Sequence, residues 1–207
     1  MSASEHAKCP RWADFPYDTQ GTIGAFLGTN IIVCGGIPHN AHADKCHIIT
    51  QKSTNFLFKM KSKRYEAASL VIREKYLWVS GGNDGTATLS STEFIEIESA
   101  EGPELPSPLE GHKMVEVTED LTLVVGGSNK QIPKSSTLYF NHDKTHHGKG
   151  QWSDGPTMLF KRRDHAVGVV TDETTLKKLI AVTGGSKLAP RSTEFYFDKV
   201  WFEGKMV

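Results

Sequence analysis

The sequence lacks most of the signatures that announce catalysis. Its 207 residues contain no G-x-S-x-G nucleophile elbow, no Walker A phosphate loop and no G-x-G-x-x-G dinucleotide fingerprint. The motif-borne chemistry of α/β-hydrolases, P-loop enzymes and Rossmann enzymes is therefore not expected. Cysteine is scarce: there are three, with no C-x-x-C pair, too few for a disulfide framework. No window approaches 18 uninterrupted apolar residues, so a membrane-spanning helix is not expected. The opening "MSASEHAKCPRW" has no apolar h-region, and no N-x-[ST] acceptor occurs anywhere. Read literally, this is a cytoplasmic protein, or an extracellular one if the chain is cut from a secreted parent. Charge of one sign is lacking too. Twenty-four basic and 24 acidic residues cancel, leaving no electrostatic case for nucleic acid or an anionic membrane as partner.

What the chain does have is repetition. An apolar run ending in two glycines occurs four times, as "NIIVCGG" (30–36), "YLWVSGG" (76–82), "LTLVVGG" (121–127) and "LIAVTGG" (179–185). The pairs are Gly35–Gly36, Gly81–Gly82, Gly126–Gly127 and Gly184–Gly185, at steps of 46, 45 and 58 residues. Two inserts, "NHDKTHHGKGQ" (141–151) and "TDETTLKK" (171–178), account for the long step. Downstream of each pair lies a second alternating segment: "KCHIITQ", "STEFIEI", "STLYFN" and "STEFYFD". Its period of two is that of a strand. A third strand precedes each pair, clearest in "RYEAASLVI" (64–72) and "RDHAVGVV" (163–170). A fourth follows, as in "WSDGPTM" (152–158) and "WFEGKM" (201–206). Four short strands per period of this length, with almost no helical pattern, are the signature of propeller blades.

The phrase set resembles the Kelch repeat family over residues 9–207, essentially the whole chain. The shared features are the apolar run closed by Gly-Gly, the aromatic strand after it, a Trp, and an Arg-x-His strand. Fidelity is uneven. Trp201 and Trp152 stand in the last two repeats only, and Arg64 and Arg163 carry the arginine in the second and fourth, with Glu110 and Gly21 nearest that place elsewhere. The resemblance implies an all-β, Kelch-type propeller of four-stranded antiparallel blades. The blades fall at 21–61, 62–106, 107–158 and 159–207, behind a lead of residues 1–20. Rings of that family usually hold more than four blades, so a partial ring is expected. "WADFP" (12–16) echoes "WSDGP" (152–156), which makes the lead a candidate outer strand of a preceding blade.

The glycine pairs then have a physical reason. Strands near a propeller's centre are crowded by their neighbours, and glycine permits both close backbone approach and φ values that a Cβ forbids. The same alignment puts Cys34 and Cys46 on adjacent strands, at the places of Ser80 and Thr92 and of Val125 and Thr137. They are either a cross-strand disulfide or two small buried thiols.

Candidate chemistry is thin. His142, His146 and His147 lie in a Gly-containing insert and read as solvated. His39, His42, Asp44 and Cys46 have zinc-compatible types, yet four ligands within eight loop residues would need a preformed fold. "NDG" (83–85) reads as a turn rather than a calcium run. His112 and His165 share one repeat position, and Arg64 and Arg163 another, so both pairs are expected to bond main-chain carbonyls between blades. No cofactor and no catalytic residue is expected. Loops between the second and third strands and between blades emerge on one face. That face, with His39, Asn40, Asn83, Asp84, Asn129, Lys130, Lys187 and Arg191, is the candidate surface for a protein partner. The alternatives are a Kelch-fold enzyme of the copper-oxidase or sugar-mutarotase type, or a truncated fragment without independent function.

Overall fold

The computed structural model describes residues 12–27, 29–37, 43–73, 76–95, 99–144, 149–171, 175, 177–185 and 191–204. Among them there is no helix. The chain folds into four successive antiparallel sheets of four strands, each paired in chain order. The first sheet holds β1 (Ile23–Leu27), β2 (Asn30–Cys34), β3 (Lys45–Ile49) and β4 (Thr54–Lys59). The second holds β5 (Ala68–Ile72), β6 (Tyr76–Ser80), β7 (Thr92–Ile95) and β8 (Ser99–Glu101). The third is built from β9 (Lys113–Thr118) and β10 (Leu121–Val125), then β13 (Thr137–His142) and β14 (Gly150–Asp154). A two-stranded hairpin, β11 (Ser128–Asn129) and β12 (Ile132–Pro133), interrupts it. The fourth holds β15 (Ala166–Thr171), β16 (Lys178–Thr183), β17 (Thr193–Phe197) and β18 (Val200–Gly204).

The sheets stack face to face, and three apolar clusters fill the three gaps between them. Ile32, Cys34 and Cys46 of the first sheet meet Leu77, Val79 and Ile95 of the second. The opposite face of the second sheet, with Trp78 and Phe94, meets Val124 and Phe140 of the third. Leu123 and Val125 then meet Ile180, Val182 and Tyr196 of the fourth. Strand β6 is accordingly buried at four consecutive residues, Leu77 to Ser80, because sheets cover both of its faces. Strand β16 alternates instead, with Ile180 and Val182 buried and their neighbours not. Its outer face is uncovered: Val170 and Phe202 are 39% and 43% exposed there.

Each join between sheets uses one backbone arrangement. The amide of the second glycine of a pair donates to a carbonyl in the segment that leads into the next sheet. Gly36 donates to Arg64 (3.0 Å), Gly82 to Leu109 (2.7 Å) and Gly127 to Arg162 (2.8 Å). The first glycine lies against that same carbonyl, so a Cβ at Gly35, Gly81 or Gly126 would run into it. A second chain of bonds links the lead-ins directly. Glu66 donates to Gly21 (2.9 Å), Gly111 to Glu66 (2.8 Å) and Asp164 to Gly111 (2.8 Å). All four of these residues sit at positive φ, between 51° and 65°, so one left-handed conformation recurs once per sheet, strained at Glu66 and Asp164 where the residue is not glycine.

Cys34 stands opposite Cys46 across β2 and β3, and the two form a disulfide with a Cα–Cα distance of 4.0 Å. The second sheet has Ser80 opposite Thr92 there, and the fourth a Thr183–Thr193 hydroxyl pair at 2.9 Å. Closing so short a loop is worth about 3 kcal/mol through the unfolded chain.

Two expectations need correcting. Residues 12–19 take no strand. The lead instead lays Phe15 and Tyr17 against His47 of β3, with ring centroids 5.3 and 5.5 Å away. It occupies the place of the inter-sheet linkers: four residues before Thr19 stands Phe15, as Met60 stands before Arg64 and Met158 before Arg162. The repeat partner of Arg64 is Arg162, not Arg163. Both precede the first residue of their sheet, Ala68 or Ala166, by four positions, and the doubled arginine at 162–163 hid the one-residue offset.

The join gives a differential prediction. Gly81→Ala meets the Leu109 carbonyl as well as an unfavourable φ of 58°, whereas Gly184, with φ 70°, has nothing within 4 Å of its added Cβ among the described residues. Denaturant unfolding should show Gly184→Ala losing about 1 kcal/mol, the left-handed penalty alone, and Gly81→Ala losing at least twice that. Equal losses would remove the steric reason for the pair.

Candidate functional site

The lead-ins and the loops between second and third strands meet on one face. Bridges pair Gln20 with Ile37, Tyr65 with Asn83, and Glu110 with Ser128. Around Glu110 this face becomes a polar network. The carboxylate is 1% exposed and accepts from Asn83 Nδ2 (2.8 Å), Thr88 Oγ1 (3.0 Å), Ser128 Oγ (3.3 Å) and Gln131 Nε2 (3.3 Å). Arg163 stands 3.8 Å from it, 3.2 Å from Glu66 and 2.7 Å from Asp164, and also donates to Gln131. Burial, followed by the nearby Asp164, raises the Glu66 carboxyl above its usual range. A buried anion needs this many donors to stay in place. The network therefore pins the loops of the second and third sheets to one another.

This network absorbs several expected contact residues. Asn83 donates to Glu110 and accepts from the Gly85 amide. Asp84 takes the Thr86 hydroxyl and the amides of Thr86 and Ala87, each at 2.7 Å. The Thr86 hydroxyl leads in holding its carboxyl below the ordinary range. These two side chains shape a turn rather than reach outward. Asn129 and Lys130 belong to the β11–β12 hairpin, whose tip has Lys130 and Gln131 at φ 50° and 65°. The hairpin presents Ile132, 64% exposed, beside the exposed Lys130. Arg191 is exposed in the turn two residues before β17. His39, Asn40 and Lys187 lie outside the described residues, as do His42, His146 and His147.

Beneath the face, arginine–glutamate stations brace the second and fourth sheets. Arg64 donates to the carbonyls of Gly81 (2.8 Å) and Ser91 (3.0 Å) and pairs with Glu93 (2.8 Å). Arg162 makes the same set with Gly184 (2.6 Å), Ser192 (3.1 Å) and Glu194 (2.9 Å). Each glutamate also accepts two amides of the incoming linker, Lys61 and Ser62 or Leu159 and Phe160. The side chains thus bond carbonyls of their own sheet. Only their backbones reach across: the Arg64 and Arg162 carbonyls accept from Gly36 and Gly127, and their amides donate to Ala43 and Lys134 (each 2.9 Å). That corrects the expected inter-blade role of the Arg64 guanidinium, whereas the Arg163 guanidinium does reach other sheets, at the side chains of Glu66 and Ser128 rather than at main-chain carbonyls. Glu93, Gln131 and Glu194 were not singled out from the sequence, although the twice-written "STE" (91–93 and 192–194) signals the two glutamates.

His112 and His165 do occupy one repeat position, and both are buried at joins. His112 Nε2 lies 3.0 Å from Ser80 Oγ. The fourth sheet's His165 has Val125 where Ser80 would be, and neither of its ring nitrogens finds a hydrogen-bond partner among the described residues. Burial, with Lys113 nearby, lowers His112 to about 3 and His165 to about 4. Metal chemistry loses a ligand, because Cys46 is bonded to Cys34, and Asp44 is ion-paired with Lys59 at 3.4 Å. His142 instead contacts Thr122 Oγ1 at 2.8 Å. Among the described residues no group of three or more His, Cys, Asp or Glu is placed to hold a metal, and no helix is long and apolar enough to cross a membrane.

The architecture matches a known fold. A solved structure described as "Structure of YjhT" superposes with a TM-score of 0.75 at 13% sequence identity, over 94% of this chain and 73% of that one. At that identity the likeness is one of fold alone. No family model matches the chain, and no curated protein matches its sequence.

The buried histidines make stability depend on pH. Between pH 6.5 and about 3 to 4 the unfolded chain binds protons that the folded chain refuses, so stability is full above pH 6.5 and falls as pH drops. The slope reaches about 1.4 kcal/mol per pH unit for each histidine. His165→Leu, which removes an unpartnered ring, should leave neutral-pH stability within about 1 kcal/mol of wild type and flatten the acid limb. Unfolding curves from pH 7 to pH 4 test this; an unchanged acid limb would place the titration elsewhere.

Proposed function

We propose that the chain is part of a Kelch-type β-propeller serving as a protein-interaction module. Its partner surface is the face on which lead-ins and second-to-third-strand loops meet. The fold reading rests on four sheets in chain order, each with the same glycine pair and the same left-handed lead-in, and on the same backbone bond at each of the three joins. The uncovered face of the fourth sheet fits a partial ring. The observation that carries the function is the β11–β12 hairpin. It is held at its base by Glu110 and Arg163 and projects an exposed apolar residue, Ile132, beside a cation. A rigid scaffold presenting one variable loop is the usual architecture of recognition surfaces.

An oxidase-type alternative needs a cysteine crosslinked to a tyrosine, and Cys34 and Cys46 are joined to each other. Disulfides persist in oxidising compartments, so the pair supports a secreted parent over the cytoplasmic expectation.

The test is crosslinking mass spectrometry in extracts of the source cells, with residues 128–134 replaced by a Gly-Ser linker of equal length. Partners should crosslink to wild type and to a control altered at Glu119 and Asp120 on the opposite face, and lose about tenfold in yield with the hairpin variant. Equal yields from all three proteins would contradict the proposed surface.

A further inference from the structure

The join between the third and fourth sheets differs from the join before it. Between the second and third sheets the outer half of the gap is packed solid with rings. Trp78 stacks on Phe94 (5.4 Å) and contacts Phe140 (4.9 Å) and Trp152 (5.8 Å), with His142 closing the edge at 5.6 Å. Strands β6 and β10 occupy equivalent places, ending at Ser80 and Val125. Where the second sheet sends Tyr76 and Trp78 into its gap, the third sends Leu121 and Leu123. Two aromatic rings are missing, and at that join lies a cleft of about 720 Å³. The volume is within the range of small-molecule sites, and its mixed apolar and polar lining is typical of them.

The lining has an order to it. Leu121, Val117 and Ile180 supply aliphatic walls, and Tyr139 and Tyr196 face each other across the gap with hydroxyls in direct hydrogen bond. Two hydroxyls that share one hydrogen still have a second O–H to donate and lone pairs to accept. The pair can therefore serve a ring N–H or a ring acceptor. Residues of both signs line the cleft, the carboxylates Glu116 and Asp198 and the ammonium groups Lys178 and Lys199. Burial, with Glu119 nearby, raises the Glu116 carboxyl. A ligand carrying a single charge would face repulsion from one of these pairs, whereas one carrying both signs would not.

We propose that this cleft binds a planar aromatic ligand of indole size whose polar end is zwitterionic, an aromatic α-amino acid being the simplest example. The ring lies against Leu121, at the place that Tyr76 fills in the preceding join, and its polar end lies among the charged lining residues. The site lies at the turns after β9 and β17, away from the loop face proposed for a protein partner, so the two readings stand or fall separately.

Titration calorimetry of the full chain with L-tryptophan, indole, indole-3-acetate and tryptamine tests the proposal. Tryptophan should bind at least fivefold more tightly than any of the other three. Two variants block the cleft from partly or fully exposed positions: Leu121→Tyr, which restores the second sheet's residue, and Ser153→Trp. Each should weaken tryptophan binding at least tenfold while leaving the thermal unfolding midpoint within a few degrees of wild type. Lys130→Ala, on the opposite face, should change nothing. Absence of binding by all four probes would overturn the proposal, as would unchanged affinity in both folded cleft variants. Indole binding as tightly as tryptophan would overturn the zwitterionic assignment.

Discussion

The structure depends on one short contact, the glycine pair of each sheet seated on a lead-in carbonyl of the next. Everything else at a join follows from how close that contact brings the backbones. Once Gly82 donates to Leu109 at 2.7 Å, the side chains behind it have little choice but to interdigitate, and the three apolar clusters form. The left-handed residues at 21, 66, 111 and 164 are the other half of the same device. At Glu66, Gly111 and Asp164 the turn brings the amide to the previous lead-in. Such conformations cost of order 1–3 kcal/mol apiece when the residue is not glycine, as at Glu66 and Asp164, and they persist only because packing on both sides holds them.

The joins also show how interchangeable side-chain chemistry is when geometry is fixed. In the second and fourth sheets a fully buried Arg–Glu pair braces the linker. In the third sheet the same two places hold Leu109 and Leu138, one buried and one partly buried in an apolar cluster. The repeat has replaced both partners or neither. That pattern follows from the energetics: a well-packed hydrophobic pair can match a buried ion pair, whereas one charge left without its partner is strongly destabilising. The first sheet goes a third way, with Thr19 and His47 in these places and the His47 ring packed against the aromatic residues of the lead. The backbone bonds, by contrast, are the same at all three joins.

Features governed by the backbone were legible in the sequence, and those governed by side-chain packing were less so. Four apolar runs closed by Gly-Gly announce their strands because at the three joins a Cβ on the first glycine would run into the next lead-in, and the repeat alignment puts Cys34 and Cys46 on adjacent strands, though not whether they are bonded. The shared place of His112 and His165 could be read for the same reason. Arg162 could not, since two adjacent arginines leave the register ambiguous until strand pairing is known. The lead misled because Trp, Asp and Pro recur at matching offsets in "WADFP" and "WSDGP", although the first pairs in no ladder among the described residues. Asn83 and Asp84 looked available for binding because their hydrogen-bond partners, Glu110 and the turn amides, are assembled only by folding. The cleft at the last join left no motif at all. It lies where Leu121 stands in the place of Tyr76, a difference that matters only once the sheets are stacked.

The central claim is that successive sheets are joined by backbone hydrogen bonds from equivalent residues. Native-state hydrogen exchange of individual amides addresses it most directly. The account predicts strong, similar protection at Gly36, Gly82 and Gly127 and at Glu66, Gly111 and Asp164. It predicts exchange at least a hundredfold faster at Gly185 and Gly21, which hold the same places at the two ends of the stack and have no such acceptor among the described residues. Uniform protection across all eight amides, or rapid exchange at the six internal ones, would contradict it.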